Sequence, residues 1–486
     1  MIANRRSISI ALGPIVFIVL QLLGKPAGME AEAYHVLTAT AWIAIWWITE
    51  AIPIAVTALL PIILFPLTGA LDVNATTMSY GHQYVFLYMG GFILAIAIEK
   101  WDLHRRIALN IISLVGTQLV NVVLGFMIAT AFLSMWISNT ATSVMMLPIG
   151  MAIVKQLEMS GKANDAGDFG KALMLSIAYS ASLGGIATLV GTPPNLVFVG
   201  VVKETFGAEI TFFQWLQFGL PISLVLLFIC WKYLTRYAFD LRGQSSAGGQ
   251  QEIHRQLLAL GKMSYEEKVV LAVFVFTAVA WISRSFVLER LVPGITDTII
   301  GMNAGILLFL LPASKKGERI ITWEEARGMP WGIILLFGGG MALAQGFKTT
   351  GLALWIGSQF TFIEGLSLIL VIVIIIASVN FLTEITSNLA TTAMLLPILA
   401  SLAISIQLHP YLLMVSATVA ASCAFMLPVA TPPNAVVFGS GYLRIPDMIR
   451  AGLWMNVLSI FLLTLIVYFL LPLLWDLDTV LIPLAD

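Results

Sequence analysis

The sequence contains little charge and few reactive side chains. Of its 486 residues only 10% are charged and 59% are hydrophobic, whereas soluble domains carry about a quarter charged residues. Together with a mean hydropathy of +0.95, this composition excludes a soluble multidomain protein. It predicts an all-α protein that crosses a lipid bilayer several times. The net charge of −1 excludes a basic nucleic-acid-binding protein.

The scarce cysteines and histidines form no chemical motif. The two cysteines, Cys230 and Cys423, both lie in apolar runs, so the sequence predicts no disulfide framework. The five histidines are scattered, and their spacing matches no zinc-binding or catalytic pattern. We therefore predict that the protein is not an enzyme and uses no organic cofactor.

Apolar runs long enough to cross a bilayer occur along the whole chain. They lie near residues 8–23, 36–49, 52–69, 84–98, 172–200, 212–234, 267–286, 297–312, 331–347, 411–439 and 452–474. Two further runs, 119–153 and 366–399, reach a polar cluster and then become apolar again. We expect each of these two to enter and leave the membrane on the same side.

The distribution of basic residues predicts the orientation. We assume that the N-terminus is cytoplasmic and that each interrupted run enters and leaves the membrane on the same side. The outer side then keeps, of the 25 lysines and arginines, only Lys25, Lys203, Arg284, Arg290 and Lys348. This bias agrees with the positive-inside rule. With short loops, it predicts a multi-pass protein of a bacterial inner (plasma) membrane with its C-terminus outside.

Polar connections divide the chain into consecutive segments. A helix along the membrane surface is predicted over residues 100–114, and a polar cytoplasmic linker near 240–266. The predicted segments are 1–118 (first spans and surface helix), 119–234 (first interrupted run, broken helix and next span), 235–266 (linker), 267–365 (second-repeat spans) and 366–486 (second interrupted run, broken helix and last span).

An internal repeat is the strongest pattern in the sequence. Residues 132–149 align with residues 381–398 at an offset of 249, and ten of the eighteen positions are identical. Each copy is followed by a Thr-Pro-Pro-Asn sequence, within 191–195 and 430–434. An odd number of spans separates the copies, so we expect an inverted repeat, which is typical of secondary transporters. The alternative is a duplication kept only for packing, which the polar clusters at lipid depth disfavour.

The polar clusters offer neutral hydrogen-bonding groups at helix breaks. Ser-Asn-Thr at 138–140 and Ser-Asn-Leu at 387–389 lie where two half-helices would meet. Helix N-termini suit carboxylate oxygens, while carbonyl and hydroxyl oxygens suit Na⁺. Neither cluster contains Arg, Lys or His, so cation-coupled uptake of an anion is predicted. Glu384, which aligns with Met135, is expected to be paired or solvated at a cavity edge.

These motifs and the Trp-Trp-Ile-Thr-Glu-Ala-Ile-Pro run at 46–53 resemble the divalent anion/sodium symporter family. The bacterial INDY-type sodium-dependent dicarboxylate transporters look most similar, and the resemblance covers essentially the whole chain. It implies eleven transmembrane helices, two re-entrant helical hairpins, a homodimer, and scaffold and transport domains that work as an elevator. It also implies Na⁺-coupled import of a C4-dicarboxylate such as succinate, malate or fumarate.

The resemblance further implies roles for individual residues. One Na⁺ site would use Ser134, Ser138, Asn139 and the carbonyl of Gly191. Its inverted counterpart would use Thr383, the carbonyl of Thr386, Asn388 and the carbonyl of Ala430. The substrate would contact Ser138, Asn139, Thr140, Thr192, Ser387, Asn388, Thr431 and Pro432.

Leu389 departs from the family pattern, because many bacterial dicarboxylate carriers have threonine at this position. The leucine removes a hydroxyl donor and adds apolar bulk beside one carboxylate. Carriers of citrate or sulfate, and Na⁺-independent dicarboxylate exchangers, share the architecture and stay open as alternatives. Asn139 and Asn388, with Ser134 and Thr383, favour the symporter.

Overall fold

The computed structural model describes residues 2–159, 163–245, 247–359 and 365–478. Within these residues the regular structure is helical, and the β-type pairings amount to two isolated bridges. This is the all-α architecture that the composition predicts. Lys162, predicted to be cytoplasmic, and residues 479–486, predicted to be outside, lie beyond the described residues.

In the described part of the chain, the first repeat and the spans before it form twelve helices. In chain order they are α1 (Ile2–Leu23), α2 (Ala31–Thr49), α3 (Ile54–Thr57), α4 (Leu60–Thr68), α5 (Val73–Met78), α6 (Gln83–Lys100), α7 (Leu103–Ser113), α8 (Leu119–Ser134), α9 (Asn139–Met159), α10 (Ala163–Gly185), α11 (Pro193–Phe206) and α12 (Phe212–Tyr233). A 3₁₀ turn over Ser79–Gly81 joins α5 to α6, and a π-helical turn over Leu234–Ala238 extends α12.

The linker and the second repeat form the remaining described helices. They are α13 (Ala247–Ala259), α14 (Tyr265–Ser283), α15 (Glu289–Leu291), α16 (Asp297–Leu310), α17 (Trp323–Ala326), α18 (Trp331–Thr349), α19 (Leu352–Gln359), α20 (Leu368–Leu382), α21 (Asn388–Ser405), α22 (Pro410–Ala421), α23 (Pro432–Phe438), α24 (Ile445–Leu465) and α25 (Leu471–Trp475). Two π-helical turns, Arg284–Leu288 and Ile466–Leu470, continue α14 and α24.

Two helix pairs reverse direction at polar tips, and two long runs are broken. We name α8 and α9 hairpin 1, and α20 and α21 hairpin 2. The unwound residues between α10 and α11 (186–192) are break 1, and those between α22 and α23 (422–431) are break 2. Pro-Pro begins both α11 and α23, because proline is tolerated in a first helical turn but not in a helix interior.

The two repeats pack crosswise. Helix α9 of hairpin 1 contacts α23 of the second repeat, and α21 of hairpin 2 contacts α11 of the first. Each hairpin therefore lies against the broken helix of the other repeat, and the two repeats form one packed unit.

The predicted surface helix and linker are both docked onto the body of the protein. Helix α7 buries Leu109 and Ile112, and Arg106 forms an ion pair with Glu267 of α14 at 2.7 Å. The structure adds a helix to the linker, because α13 occupies much of it and contacts α7 and α9.

Many of the helices have the length and composition of membrane spans. Six described stretches are long and apolar enough to cross a bilayer, namely Val73–Lys100, Asn139–Met159, Phe212–Ala238, Tyr265–Leu291, Asn388–Ser405 and Ile445–Trp475. Shorter apolar helices cover Ser7–Leu23, Ile54–Thr68, Leu119–Ser134, Asp297–Leu310, Leu368–Leu382 and Pro410–Ala421. These features support a multi-pass membrane protein.

Glycine permits close backbone contact between several helices. A Cβ added at Gly90 of α6 would lie 2.5 Å from the carbonyl oxygen of Gly301 in α16. A Cβ at Gly339 of α18 would collide in the same way with the backbone of Ala58. These glycines are therefore packing contacts between apolar helices.

Replacing Gly90 by Ala should push α6 away from α16, because the new methyl group meets backbone that cannot rotate aside. Overpacking of this kind costs about 1–3 kcal/mol, so the midpoint of thermal unfolding in detergent should fall. The matched control is Gly81→Ala, since a Cβ there meets open space. Equal midpoints for the two variants would contradict the packing assignment.

Candidate functional site

Both hairpin tips place a serine as the cap of a helix. Ser138 Oγ accepts a hydrogen bond from Ala141 N (3.2 Å) at the start of α9. Ser387 Oγ accepts one from Ala390 N (3.5 Å) at the start of α21. The other first-turn amides of each helix have no partner within the helix, so each tip presents the positive end of a helix dipole.

Each break is held by the asparagine that ends its Thr-Pro-Pro-Asn sequence. In break 1, Asn195 Nδ2 donates to the carbonyl oxygens ten and seven residues earlier, at 3.1 and 2.7 Å. In break 2, Asn434 Nδ2 donates to the carbonyl oxygens ten and seven residues earlier, at 3.3 and 3.0 Å. The hydrogen bonds thus repeat the symmetry of the sequence, and they satisfy carbonyls that the breaks remove from helices.

Glu384 holds break 2 with its carboxylate. The residue is 3% exposed and accepts hydrogen bonds from the backbone amides of residues 425–427 at 2.8–3.1 Å. Asn456 Nδ2 donates another at 2.7 Å. This carboxylate is therefore paired, as predicted, and its hydrogen-bond partners are neutral backbone and side-chain amides rather than an ion. In the first repeat, Thr188 of break 1 instead donates its hydroxyl to the carbonyl of Met135.

A cluster of oxygen atoms lies between hairpin 1 and break 1. The side-chain amide of Asn139 faces Ser134 Oγ at 2.6 Å, Ala181 O at 3.2 Å and Gly191 O at 3.3 Å. With its nitrogen toward them, Asn139 donates hydrogen bonds to these atoms. With its oxygen toward them, Asn139 accepts a hydrogen bond from Ser134 Oγ and faces the two carbonyl oxygens, and these neutral oxygens are of the kind that binds a small hard cation. The structure therefore brings together Ser134, Asn139 and Gly191 of the first predicted Na⁺ site.

Gly185 has no side chain, and this leaves space for the cluster of oxygen atoms around Asn139. A Cβ at residue 185 would lie 2.8 Å from Asn139 Oδ1 and 3.1 Å from Gly191 O. A Cβ at Gly191 would in turn lie 2.5 Å from Gly185 O. Sequence reasoning missed Gly185, because nothing in the sequence says which of 39 glycines another segment approaches.

The residues of the second predicted Na⁺ site are joined by fewer hydrogen bonds than those of the first. Thr383 Oγ1 donates to a carbonyl of α20 at 3.0 Å, and Thr386 Oγ1 forms a hydrogen bond with Thr391 Oγ1 at 2.7 Å. Among the described residues, no hydrogen bond joins Asn388 to Ala430, and the buried Asn388 Oδ1 has no donor. An unpaired buried acceptor costs free energy, and a bound cation would remove that cost.

A cavity of about 670 Å³ extends from the tip of hairpin 1. Ser138 and Thr140 line it, together with Phe92 and Glu99 of α6 and the turn at residues 328–330. Its volume is in the range of small-molecule sites, about 300–1,000 Å³. The cavity reaches the end of α6, on the side that the basic residues predict to be cytoplasmic.

The charged side chains at this cavity are acidic. Glu99 and Asp102 line it, and neither is in an ion pair with another described residue. The ring of His104 lies 3.0 Å from the carbonyl of Ile98. Burial lowers the pKa of His104, which favours its neutral ring. The described lining contains no lysine or arginine that could bind an anionic ligand.

The other predicted substrate residues lie at other helix starts. Thr192 is buried before α11, and Pro432 is exposed at the start of α23. Thr431 Oγ1 accepts a hydrogen bond from Asn434 N at 3.3 Å. The described lining of the cavity includes none of these residues and no residue of the hairpin 2 tip.

Comparison with known proteins identifies the family. The sequence profile described as sodium:sulfate symporter transmembrane region matches residues 5–475. The chain belongs to the sodium:sulfate symporter family. The predicted resemblance is thereby confirmed.

Two curated relatives of this symporter family member are named sodium-dependent dicarboxylate transporter SdcS. The chain is 48% identical over 473 residues to that of Staphylococcus saprophyticus, covering 96% of this chain and 91% of the relative. It is 46% identical over 479 residues to that of Staphylococcus aureus (strain bovine RF122 / ET3-1), covering 97% of this chain and 92% of the relative. The prediction of a transporter rather than an enzyme is therefore confirmed.

Two solved structures share the fold of this symporter family member. The Alcanivorax borkumensis YdaH transporter aligns with a TM-score of 0.59 at 12% identity, covering 83% of this chain and 88% of that one. Neisseria gonorrhoeae MtrF aligns with a TM-score of 0.59 at 13% identity, covering 93% of this chain and 98% of that one. At these identities the similarity concerns the fold alone.

Replacing Glu384 by Gln should destabilise this symporter family member, because an amide would present N–H groups to buried backbone N–H groups. Buried donors left without an acceptor cost about 1–3 kcal/mol each, so the thermal midpoint in detergent should fall clearly. Glu99→Gln is the matched control, since the side chain of Glu99 forms no hydrogen bond or ion pair with another described residue. If both variants kept the wild-type midpoint, the role of Glu384 in holding break 2 would be wrong.

Proposed function

We propose that this protein imports C4-dicarboxylates such as succinate, malate and fumarate together with Na⁺. The observation that carries the proposal is the cluster of neutral oxygens around Asn139, which lies beside the positive end of α9. A cation site and an anion site are thus built from the same few residues. Relatives named sodium-dependent dicarboxylate transporters support the same ion and substrates.

Na⁺ would bind at two inverted sites. The first would consist of Ser134, Ser138, Asn139 and the carbonyl of Gly191. The second would consist of Thr383, the carbonyl of Thr386, Asn388 and the carbonyl of Ala430. The distances of 2.6–3.3 Å around Asn139 support the first site, and the unpaired buried Oδ1 of Asn388 supports the second.

The substrate carboxylates would bind between the two tips. Their partners would be Ser138, Asn139, Thr140, Thr192, Ser387, Asn388, Thr431 and Pro432. These residues lie at helix starts, where the positive end of the helix dipole favours anions. The starts of α9 and α21 also offer free backbone amides, whereas α11 and α23 begin with prolines that have none. They carry no positive charge, so a doubly negative substrate in a low-dielectric site needs bound cations. Coupling to Na⁺ follows from this balance.

The proposed architecture has eleven spans and two re-entrant hairpins in a homodimer. Residues 1–118 and 267–365 would be mostly scaffold, and residues 119–234 and 366–486 would form a transport domain that moves as an elevator. The protein would lie in the bacterial inner membrane with its N-terminus in the cytoplasm and its C-terminus outside. The crosswise packing of the repeats supports the inverted arrangement. The cavity at Ser138 and Thr140 would then be the inward-open route.

Sulfate is the second candidate substrate, because the family description names it. Leu389 replaces the hydroxyl-bearing Thr140 at the matching position of hairpin 2, and it is buried. The leucine leaves fewer donors for the second carboxylate, so citrate and Na⁺-independent exchange of dicarboxylates remain alternatives to be separated by transport assays.

The decisive experiment is uptake of labelled succinate by proteoliposomes that contain the purified protein. An inward Na⁺ gradient should drive accumulation, and replacement of Na⁺ by choline should abolish it. Unlabelled malate should compete and sulfate should not. Uptake that does not depend on Na⁺ but requires dicarboxylate inside the vesicles would establish an exchanger instead. If sulfate inhibited the uptake and malate did not, the protein would be a sulfate carrier.

Replacing Gly185 by Ala should weaken Na⁺ binding, because its methyl group would displace the Asn139 amide and the Gly191 carbonyl. The loss of one such contact corresponds to about a tenfold rise in the Na⁺ concentration for half-maximal uptake. Gly167→Ala, in the same helix, is the control, since a Cβ there meets open space. An unchanged Na⁺ requirement for Gly185→Ala would refute the first site.

A further inference from the structure

A groove outside the candidate transport site opens between α12 and α24, next to the start of α10. It encloses about 810 Å³. Its walls carry Phe228 of α12 and Trp454 of α24, which are 55% and 58% exposed. The exposed apolar face continues along the two helices through Leu224 and Phe461. Both helices have the length and composition of membrane spans, so this face contacts lipid rather than water.

Three basic side chains line one end of the groove. Lys171 is paired with Asp447 at 3.3 Å. Lys232 Nζ lies 3.9 Å from the ring centre of Trp231 and is in no ion pair with a described carboxylate. Arg450 is exposed and likewise has no such ion-pair partner. The groove therefore holds two cations that no described carboxylate neutralises.

Three acidic side chains also line the groove, and only two of them are in ion pairs. Asp240 is paired with Arg242 at 2.8 Å, and Asp447 with Lys171. Asp168 lines the groove, is exposed, and is in no ion pair among the side chains that the structure describes. Two unneutralised cations thus lie in one groove with one unneutralised carboxylate, which complements a ligand that carries a phosphate and an ammonium group.

We propose that this groove binds a phospholipid with an ethanolamine headgroup. The phosphodiester would interact with Lys232 and Arg450, and the ammonium group with Asp168. One acyl chain would lie along Phe228 and Trp454. Basic pockets between spans bind lipid phosphates, and Arg–phosphate hydrogen bonds are among the strong ones. A free phosphate ion would leave the apolar walls uncovered, so the lipid fits the whole groove better.

Native mass spectrometry of the full-length protein with added phosphatidylethanolamine tests this site. The double variant Lys232→Gln/Arg450→Gln should bind the lipid at least about tenfold more weakly. The double variant Lys262→Gln/Lys316→Gln removes the same charge from exposed positions outside the groove and should bind like wild type. Phosphatidylcholine should bind wild type more weakly, because its methylated ammonium group cannot donate a hydrogen bond to Asp168.

Equal lipid binding by wild type and both double variants would overturn the proposal. Inorganic phosphate that displaces the lipid at equal concentration would overturn it as well, because the acyl chain would then contribute nothing. A Trp454→Cys variant that forms a disulfide between two copies in membranes would show that the groove is a protein interface. If the Lys232→Gln/Arg450→Gln variant failed to fold, the lipid preference of wild type would test the proposal. Tighter binding of phosphatidylethanolamine than of phosphatidylcholine would support it, and equal binding would contradict it. None of these outcomes depends on the transported substrate.

Discussion

Backbone that leaves helical geometry inside an apolar helical layer must find new hydrogen-bond partners, and the rest of this structure depends on how it does so. Asn195 and Asn434 bind the carbonyls that the two breaks release. Glu384 binds the amides of break 2. Because these partners act from within the protein, the starts of α11 and α23 keep a fixed position beside the hairpin tips.

In both repeats the break donates hydrogen bonds to its own hairpin, but the acceptors differ in charge. Break 1 donates a hydroxyl of Thr188 to a carbonyl of hairpin 1, whereas break 2 donates amides to a carboxylate of hairpin 2. Neutral hydrogen-bond donors of the protein stabilise the single carboxylate at the tips. Neither tip carries a basic side chain, so the charge of any bound dianion has to be balanced by cations that enter with it.

Local features of the sequence predicted the two hairpins and two breaks, because prolines and polar triplets inside apolar runs act on their own neighbours. The partners of Glu384 lie 41 to 72 residues away along the chain, and the crowding around Gly185 arises from a separate segment, so neither was predictable. Helix α13 was also missed, because the two glycines near its start lower helix propensity and its docking decides its conformation. The family resemblance is confirmed, while the roles of the individual site residues remain predictions.

The central claim is that a pocket without basic side chains, at paired helix breaks, holds a dianion only together with Na⁺. Equilibrium binding of labelled succinate to the purified protein tests this claim without any transport step. We predict that succinate affinity rises steeply with Na⁺ concentration, and that Na⁺ affinity rises by the same factor when succinate is saturating. Succinate binding that is equally tight in choline and in Na⁺ would contradict the account.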